Sequence, residues 1–279
     1  MKTLKRFAFF CALFSCCTFS VAQAELFKPW LGNLFELQLT AGYSYQHYRK
    51  IHMDPEPIYL GTNSNYFDAR LAMVLLPTLN MGVKAGTSKI MGQNLYFETA
   101  ELFAQYLMLD DIVGDPVSMT LNLTVASTQR KPRRNLGRFH HGPMSAELGV
   151  SIGREWALGS IFTSRIWINA NLGGSTRSSL YTEESAAVEV NFIDRVRLGV
   201  VGVFHAGFGT KRLSLEQISN FDGYRHIAYR AIDAGVNLKY RWGVWGDLKF
   251  EFLRRFWGRS CPQNGYEVRV VYHLPFSAF

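Results

Sequence analysis

The sequence predicts an all-β fold, a transmembrane antiparallel up-and-down β-barrel of about twelve strands. First, about twelve segments alternate apolar and polar side chains with a period of two. Second, most of these segments exceed about nine residues, the length with which a tilted strand crosses a bilayer. Third, the connections between the segments alternate between short turns and longer loops, as they do in membrane barrels.

Residues 37–48 show the alternation most clearly. Leu37 and Leu39 fall on one face, and Gln38 and Thr40 fall on the other. Because successive side chains of a strand point to opposite faces, the segment has one apolar and one polar face. The same pattern predicts strands over the following segments: 34–49, 65–76, 79–88, 94–109, 117–130, 143–156, 160–173, 183–193, 196–210, 226–241, 244–257 and 265–276.

The chain begins with the pattern of a secretory signal peptide. Basic residues are followed by the apolar stretch 7–21 and then by Ala22-Gln23-Ala24, a small-x-small cleavage pattern. We therefore expect residues 1–24 to be removed and residues 25–279 to form one barrel domain. Beyond this segment there is no apolar run of about 18 residues or more, which excludes a helical membrane protein.

The charge balance and the cysteine content argue against two other classes of protein, nucleic-acid-binding proteins and disulfide-stabilised proteins. The signal segment carries three of the 30 basic residues and none of the 22 acidic ones, so the mature chain keeps only a small positive excess. This balance does not predict a nucleic-acid partner. Only Cys261 remains after cleavage, so no internal disulfide is possible. We interpret Cys261 as incidental, although an exposed thiol in its loop could link two chains.

The main alternative fold is a secreted β-sandwich, whose strands also alternate but are usually nearer five or six residues long. Aromatic residues near the strand ends favour the membrane barrel, because they fit girdles at the two lipid–water boundaries. These residues are Tyr45, Tyr48, Phe67, Tyr106, Trp156, Phe256, Tyr266 and Phe276.

If the apolar faces meet lipid, the polar faces line the lumen, where acidic and basic residues interleave on the last three strands. The predicted pore-lining residues are Asp233, Lys239, Arg241, Asp247, Lys249, Glu251, Arg255, Glu267, Arg269 and His273. In one interpretation they line a water-filled pore and bias which solutes pass. In the other they pair across a narrow lumen and close it. Twelve strands enclose an intermediate space, and inward Trp167 and Trp245 indicate partial filling.

The loop 130–142 holds the strongest local charge cluster: Arg130, Lys131, Arg133, Arg134 and Arg138. Its guanidinium groups could bind the phosphates of lipopolysaccharide, since they pair with phosphate through two hydrogen bonds. The loop could instead fold inward and narrow the pore, or remain a solvated loop.

No catalytic motif is recognisable, and we predict no enzyme, no metal and no cofactor. His140 and His141 with Ser145 invite a hydrolase hypothesis, but no Gly-x-Ser-x-Gly occurs. Adjacent histidines point to opposite sides of an extended chain, which also weakens a metal site. Asp222 and His226 could form an acid–histidine pair of a protease, but no catalytic motif supports this pair either. A barrel that hydrolyses membrane lipids is therefore the third hypothesis.

The whole mature chain resembles Gram-negative outer-membrane β-barrel proteins of the porin-like class. The signal peptide, the alternating segments and the last strand carry this resemblance. In such proteins the assembly machinery reads a last strand of the kind formed by Tyr266, Val268, Val270, Tyr272, Leu274 and Phe276. Phe279 departs from this series because it is out of phase.

The resemblance implies an outer-membrane location, contact with membrane lipid and the assembly machinery, and passive diffusion of small hydrophilic solutes through a narrow channel. The alternative is a non-conducting surface barrel whose loop 130–142 binds lipopolysaccharide or a host partner.

Overall fold

A computed structural model describes residues 27–54, 56–90, 92, 94–158, 161–176, 179–193 and 195–277. The predicted signal peptide at 1–24 lies outside these ranges, as does Phe279. The division into signal and barrel therefore stays a prediction.

Within the described ranges, twelve long strands form one closed antiparallel barrel, which confirms the predicted fold class. Each strand pairs with its neighbours along the chain, and the last strand pairs with the first. The strands are β1 Glu36–Tyr48, β2 Thr62–Leu76, β3 Leu79–Ile90, β4 Leu95–Leu109, β5 Ser118–Thr128, β6 Met144–Leu158, β7 Ile161–Ser175, β8 Tyr181–Ile193, β9 Val196–Phe208, β10 Ala228–Arg241, β11 Asp247–Arg259 and β12 Tyr266–Ser277.

The start of β11 is later than predicted because Gly243–Trp245 forms a turn of 3-10 helix. Gly243 and Gly246 have φ angles of 63° and 94°, a region that favours glycine. The turn carries Trp245 out of the barrel and leaves it 68% exposed, so its predicted lumen position is wrong.

Two short helices interrupt the loops, α1 Arg130–Arg133 and α2 Leu215–Ser219. No helix in the described ranges has the length and apolar content needed to cross a bilayer.

The barrel has the inside-out pattern of a membrane protein. On β5, Thr120 and Asn122 are buried, whereas Leu121 and Leu123 are exposed. Large apolar side chains are exposed on the outside of the other barrel strands as well. An apolar surface of this extent is stable only in an apolar solvent, because exposed apolar area is unfavourable in water. The outer wall therefore faces lipid.

The predicted aromatic girdles are largely on this outer wall. Phe67, Tyr106, Trp156, Phe256, Tyr266 and Phe276 are all exposed. Tyr45 is partly exposed on the same face, whereas Tyr48 is buried, so its placement in a girdle is wrong. It instead joins the core described next.

The long loops close over one end of the barrel and form a hydrophobic core, here called the loop cap. The core combines residues from connections 49–61, 129–143, 209–227 and 260–265 with the adjoining strand ends. Its buried residues are Tyr48, Ile51, Met53, Leu136, Leu213, Phe221, Tyr224, Ile227, Tyr229, Ala231 and Cys261. A two-residue pairing, Lys50–Ile51 with Pro262–Gln263, joins the first and last loops.

Cys261 lies in this core and is fully buried, so its thiol is not exposed to link two chains. Burial raises the pKa of the thiol to about 12, so it is neutral at ordinary pH. A link between two chains through Cys261 would first require the loop cap to open.

Candidate functional site: the barrel lumen

The lumen contains two cavities, one above the other along the barrel axis. The outer cavity, about 180 Å³, lies beneath the loop cap. The inner cavity, about 230 Å³, lies at the end with the short turns. Asp68, Lys84 and Arg269 line both cavities and so mark the level at which they meet.

The charged residues that line only one of the cavities differ in sign. In the outer cavity they are Glu98, Glu101, Glu147, Glu183, Asp233, Glu251 and Glu267, with Arg138 and Arg255. In the inner cavity they are Lys28, Arg70, Arg165, Lys239 and Lys249, with Asp247.

The predicted pore-lining residues are distributed over these two cavities. The structure places Asp233, Glu251, Arg255 and Glu267 in the outer cavity, Lys239, Asp247, Lys249 and His273 in the inner cavity, and Arg269 in both. Arg241 lies outside both cavities, at the end of β10, with about half of its side chain exposed and its Nε 3.7 Å from Asp247.

An ion pair spans the first strand at the level where the cavities meet. A guanidinium nitrogen of Arg269 on β12 lies 3.1 Å from a carboxylate oxygen of Asp68 on β2, although β1 runs between these strands. The inward residue of β1 at this level is Gly42. A Cβ atom there would lie 2.8 Å from Asp68 Oδ1. The missing side chain therefore makes room for the pair.

We expect Gly42→Leu to lower conductance through the lumen by about half or more, because the new side chain occupies the junction of the cavities and separates Asp68 from Arg269. Single-channel current in a planar bilayer measures the effect. Ala41→Leu is the matched control, because Ala41 points outward and is exposed. Equal currents from both variants would contradict this placement of the junction.

Part of the lumen is filled by apolar side chains, which was not predicted except for Trp167. Trp167 packs with Ala187, Val201, Val203 and Leu253, and Trp30 packs against this cluster. The alternation already places these side chains on the inward face, where only polar residues were expected apart from Trp167 and Trp245. The cluster leaves a passage narrower than the strand number alone would give.

The N-terminal segment, residues 27–35, enters the lumen from the short-turn end, and no sequence pattern predicted this. Phe27 packs edge-on against Phe103, and Trp30 against Trp167, with ring centroids 6.2 and 5.9 Å apart. Lys28 Nζ lies 2.9 Å from a carboxylate oxygen of Glu189. The segment is thus fixed to the wall by both apolar and charged contacts. Its sequence, Phe-Lys-Pro-Trp, is the one local signal that could have suggested such anchoring.

The basic loop folds inward at Arg133 and Arg138, so the interpretation as a solvated loop fails for these two residues. Arg133 is buried and lies 3.4 Å from Asp222 of the 209–227 connection. Arg138 lines the outer cavity, with its guanidinium carbon 3.6 Å from the ring centroid of Tyr66. Neither faces outward to meet lipid phosphates. Arg130, Lys131 and Arg134 remain exposed at the rim.

One hydrogen bond and one ring stack hold this loop in its inward position. The Tyr224 hydroxyl donates a hydrogen bond to the Leu136 carbonyl oxygen at 2.7 Å. Phe139 stacks on Tyr229 with ring centroids 4.5 Å apart. Because the partners in each contact are about 90 positions apart in the chain, no local sequence pattern predicts that they meet.

The two adjacent histidines have different surroundings. His140 Nε2 lies 2.8 Å from Glu98 Oε1. His141 stacks on Tyr181, and its Nε2 lies 3.1 Å from the Tyr229 hydroxyl. Burial lowers the pKa of His141 well below its usual value, and electrostatic interaction with the neighbouring His140 and His205 lowers it further.

We expect acid to loosen the loop cap. The pKa of His141 is depressed in the folded state, so its contribution to stability is present above about pH 6.5 and falls as the pH drops toward the folded pKa. Each pH unit in that window costs up to about 1.4 kcal/mol. Conductance recorded between pH 7 and pH 5 should therefore rise on acidification.

His141→Phe keeps the stacking on Tyr181 and should abolish most of this dependence, whereas the exposed His226→Phe should not. A dependence that persists unchanged in His141→Phe would contradict the role of His141.

The histidines do not form the arrangements considered for hydrolysis. Asp222 pairs with Arg133 and Arg225 rather than with His226, which is exposed. The Nε2 atoms of His140 and His141 face Glu98 and Tyr229. Across the described part of the chain, no group of three His, Cys, Asp or Glu residues could hold a metal ion.

Solved structures show what the fold is similar to. An outer-membrane channel from Pseudomonas putida F1 matches with a TM-score of 0.63 at 11% identity, over 88% of this chain and 97% of that chain. The NanC porin matches with a TM-score of 0.51 at 9% identity, over 85% of this chain and 98% of that chain. Neither a protein-family model nor a curated protein matches the sequence. The fold is therefore similar to that of these two outer-membrane β-barrels, and at this identity the likeness extends to the fold alone.

Proposed function

We propose that this protein is a narrow passive diffusion channel of a Gram-negative outer membrane, which passes small hydrophilic solutes. The observation that carries the proposal is the pair of charged cavities in the lumen, which meet at Asp68, Lys84 and Arg269. Polar side chains around both cavities provide partners for water and solutes along the axis.

The narrowness follows from what occupies the lumen. The N-terminal segment fills part of the short-turn end, and the loop cap covers the other end. The cavities of about 180 and 230 Å³ are suited to small molecules. We infer that passage depends on small movements of the segment, of the cap or of both.

The proposal is tested by the swelling of liposomes that contain the refolded mature chain. Arabinose should enter, sucrose should enter more slowly, and raffinose should be excluded, because the passage discriminates by size. Gly42→Leu should slow arabinose, and Ala41→Leu should not. If none of the three sugars enters through a folded, heat-modifiable barrel, the channel proposal fails.

A non-conducting surface barrel is the second candidate, and the occupation of both ends of the lumen favours it. In that case the exposed Arg130, Lys131 and Arg134 at the rim would be the groups available to lipopolysaccharide phosphates. Replacing all three by Gln should then weaken binding of lipopolysaccharide to the reconstituted barrel.

We further propose that the assembly machinery reads β12 and that residues 1–24 direct secretion.

A further inference from the structure

The two cavities carry opposite charge along the barrel axis. Apart from the residues that they share, the outer cavity has seven carboxylates against the guanidinium groups of Arg138 and Arg255. The inner cavity has five cationic side chains against the carboxylate of Asp247. The lumen is therefore negative beneath the loop cap and positive near the short turns.

Ion pairs reduce the difference in net charge between the two cavities without removing it. In the inner cavity Lys239 pairs with Asp247 at 2.8 Å. Lys28 and Arg165 pair with Glu189 and Glu155, two carboxylates that do not line the cavity. Lys249 pairs with Glu251 of the outer cavity, so the five cationic side chains face four carboxylates in all, and one positive charge remains in excess.

The outer cavity keeps a negative excess in the same way. Arg255 makes two hydrogen bonds to Asp233, at 2.7 and 2.8 Å. Glu251 and Glu101 pair with Lys249 and Lys84. His140 and His205 lie against Glu98 and Glu183, and if both histidines are protonated the five remaining carboxylates still outnumber the four cations by one.

Glu183 gives this cavity an acceptor that the protein itself does not satisfy. Its Oε2 atom lies 3.1 Å from His205 Nδ1. Its Oε1 atom is buried and has no hydrogen-bond partner among the described residues, while the residue as a whole is 9% exposed. A buried carboxylate oxygen without a donor is costly, and an ammonium group in the cavity would supply the donor.

We propose that the lumen selects zwitterionic solutes of amino-acid size, with the ammonium group in the outer cavity and the carboxylate in the inner cavity. This rests on the proposed channel function and names its substrate class. A simple cation is attracted only to the outer cavity, and a simple anion only to the inner one. A molecule that carries both charges matches both cavities, which lowers the barrier at Asp68 and Arg269 between them.

The test compares glycine with glycolamide, an uncharged isomer of the same mass, in swelling of liposomes that contain the refolded mature chain. The rate in protein-free liposomes is subtracted for each solute. We expect glycine to enter about ten times faster than glycolamide, because a cavity lined by one sign of charge raises the local concentration of the opposite charge by about tenfold or more.

The double variant Glu147→Gln with Glu183→Gln removes two outer carboxylates and keeps their shape, so it should bring the ratio of the two rates close to one. Glu184→Gln is the matched control, since this neighbouring glutamate belongs to the opposite face of β8. It should leave the ratio unchanged.

Each outcome decides between the proposals. If glycolamide enters as fast as glycine, the channel function stands and zwitterion selection is overturned. An unchanged ratio in the double variant also overturns it, provided that heat-modifiable mobility shows a folded barrel. If neither solute enters, both proposals fail.

Discussion

Replacing Phe27, Lys28 and Trp30 together by Ala will raise single-channel conductance by about twofold or more. These three side chains fix the N-terminal segment to the lumen wall, through Phe103, Glu189 and Trp167 respectively. Without them the segment loses its apolar contacts and its ion pair, and the short-turn end opens to water. Planar-bilayer recording of the refolded variant measures the change.

The control is Leu34→Ala, at a residue of the same segment that is about half exposed. Its conductance should equal that of the unaltered chain. A triple variant that folds, as judged by heat-modifiable mobility, but conducts no better would contradict the view that the segment restricts the passage.

Tyr224→Ala will open the loop cap. Tyr224 is almost fully buried, packs against Phe139 and Phe221 and donates a hydrogen bond to Leu136. Truncating a buried aromatic side chain costs about 3–5 kcal/mol, and here the cost falls on the cap rather than on the barrel strands.

Cys261 reports on this opening, because it is buried in the same core and is the one cysteine of residues 25–279. Labelling by a maleimide should be very slow in the unaltered chain and at least about tenfold faster in Tyr224→Ala. Tyr59→Ala, at an exposed loop position, serves as the control. Equal labelling in all three proteins would show that Tyr224 does not hold the cap closed.

The barrel itself could be predicted from sequence because strand alternation is a local property. The parity of each strand fixes which side chains point inward, so the positions of Lys239, Glu251 and Arg269 in the lumen wall follow from the same pattern. Trp245 breaks this rule because Gly243 and Gly246 turn the chain before β11 begins.

The occupation of the lumen could not be predicted because it depends on contacts between distant parts of the chain. The N-terminal segment has no periodicity, and its partners Trp167 and Glu189 lie far away in sequence. The inward fold of the basic loop depends in the same way on Tyr224. From the local sequence alone, a cluster of arginines predicts a solvated loop. For Arg133 and Arg138 this prediction is wrong.

Single-channel current through the refolded mature chain in a planar lipid bilayer is the most direct test that the lumen is a narrow passage. We expect small, discrete and stable current steps that decrease in Gly42→Leu and increase when the contacts of Phe27, Lys28 and Trp30 are removed. A folded, heat-modifiable barrel that never conducts, even with the N-terminal segment released, would contradict the channel and identify the lumen as a closed interior.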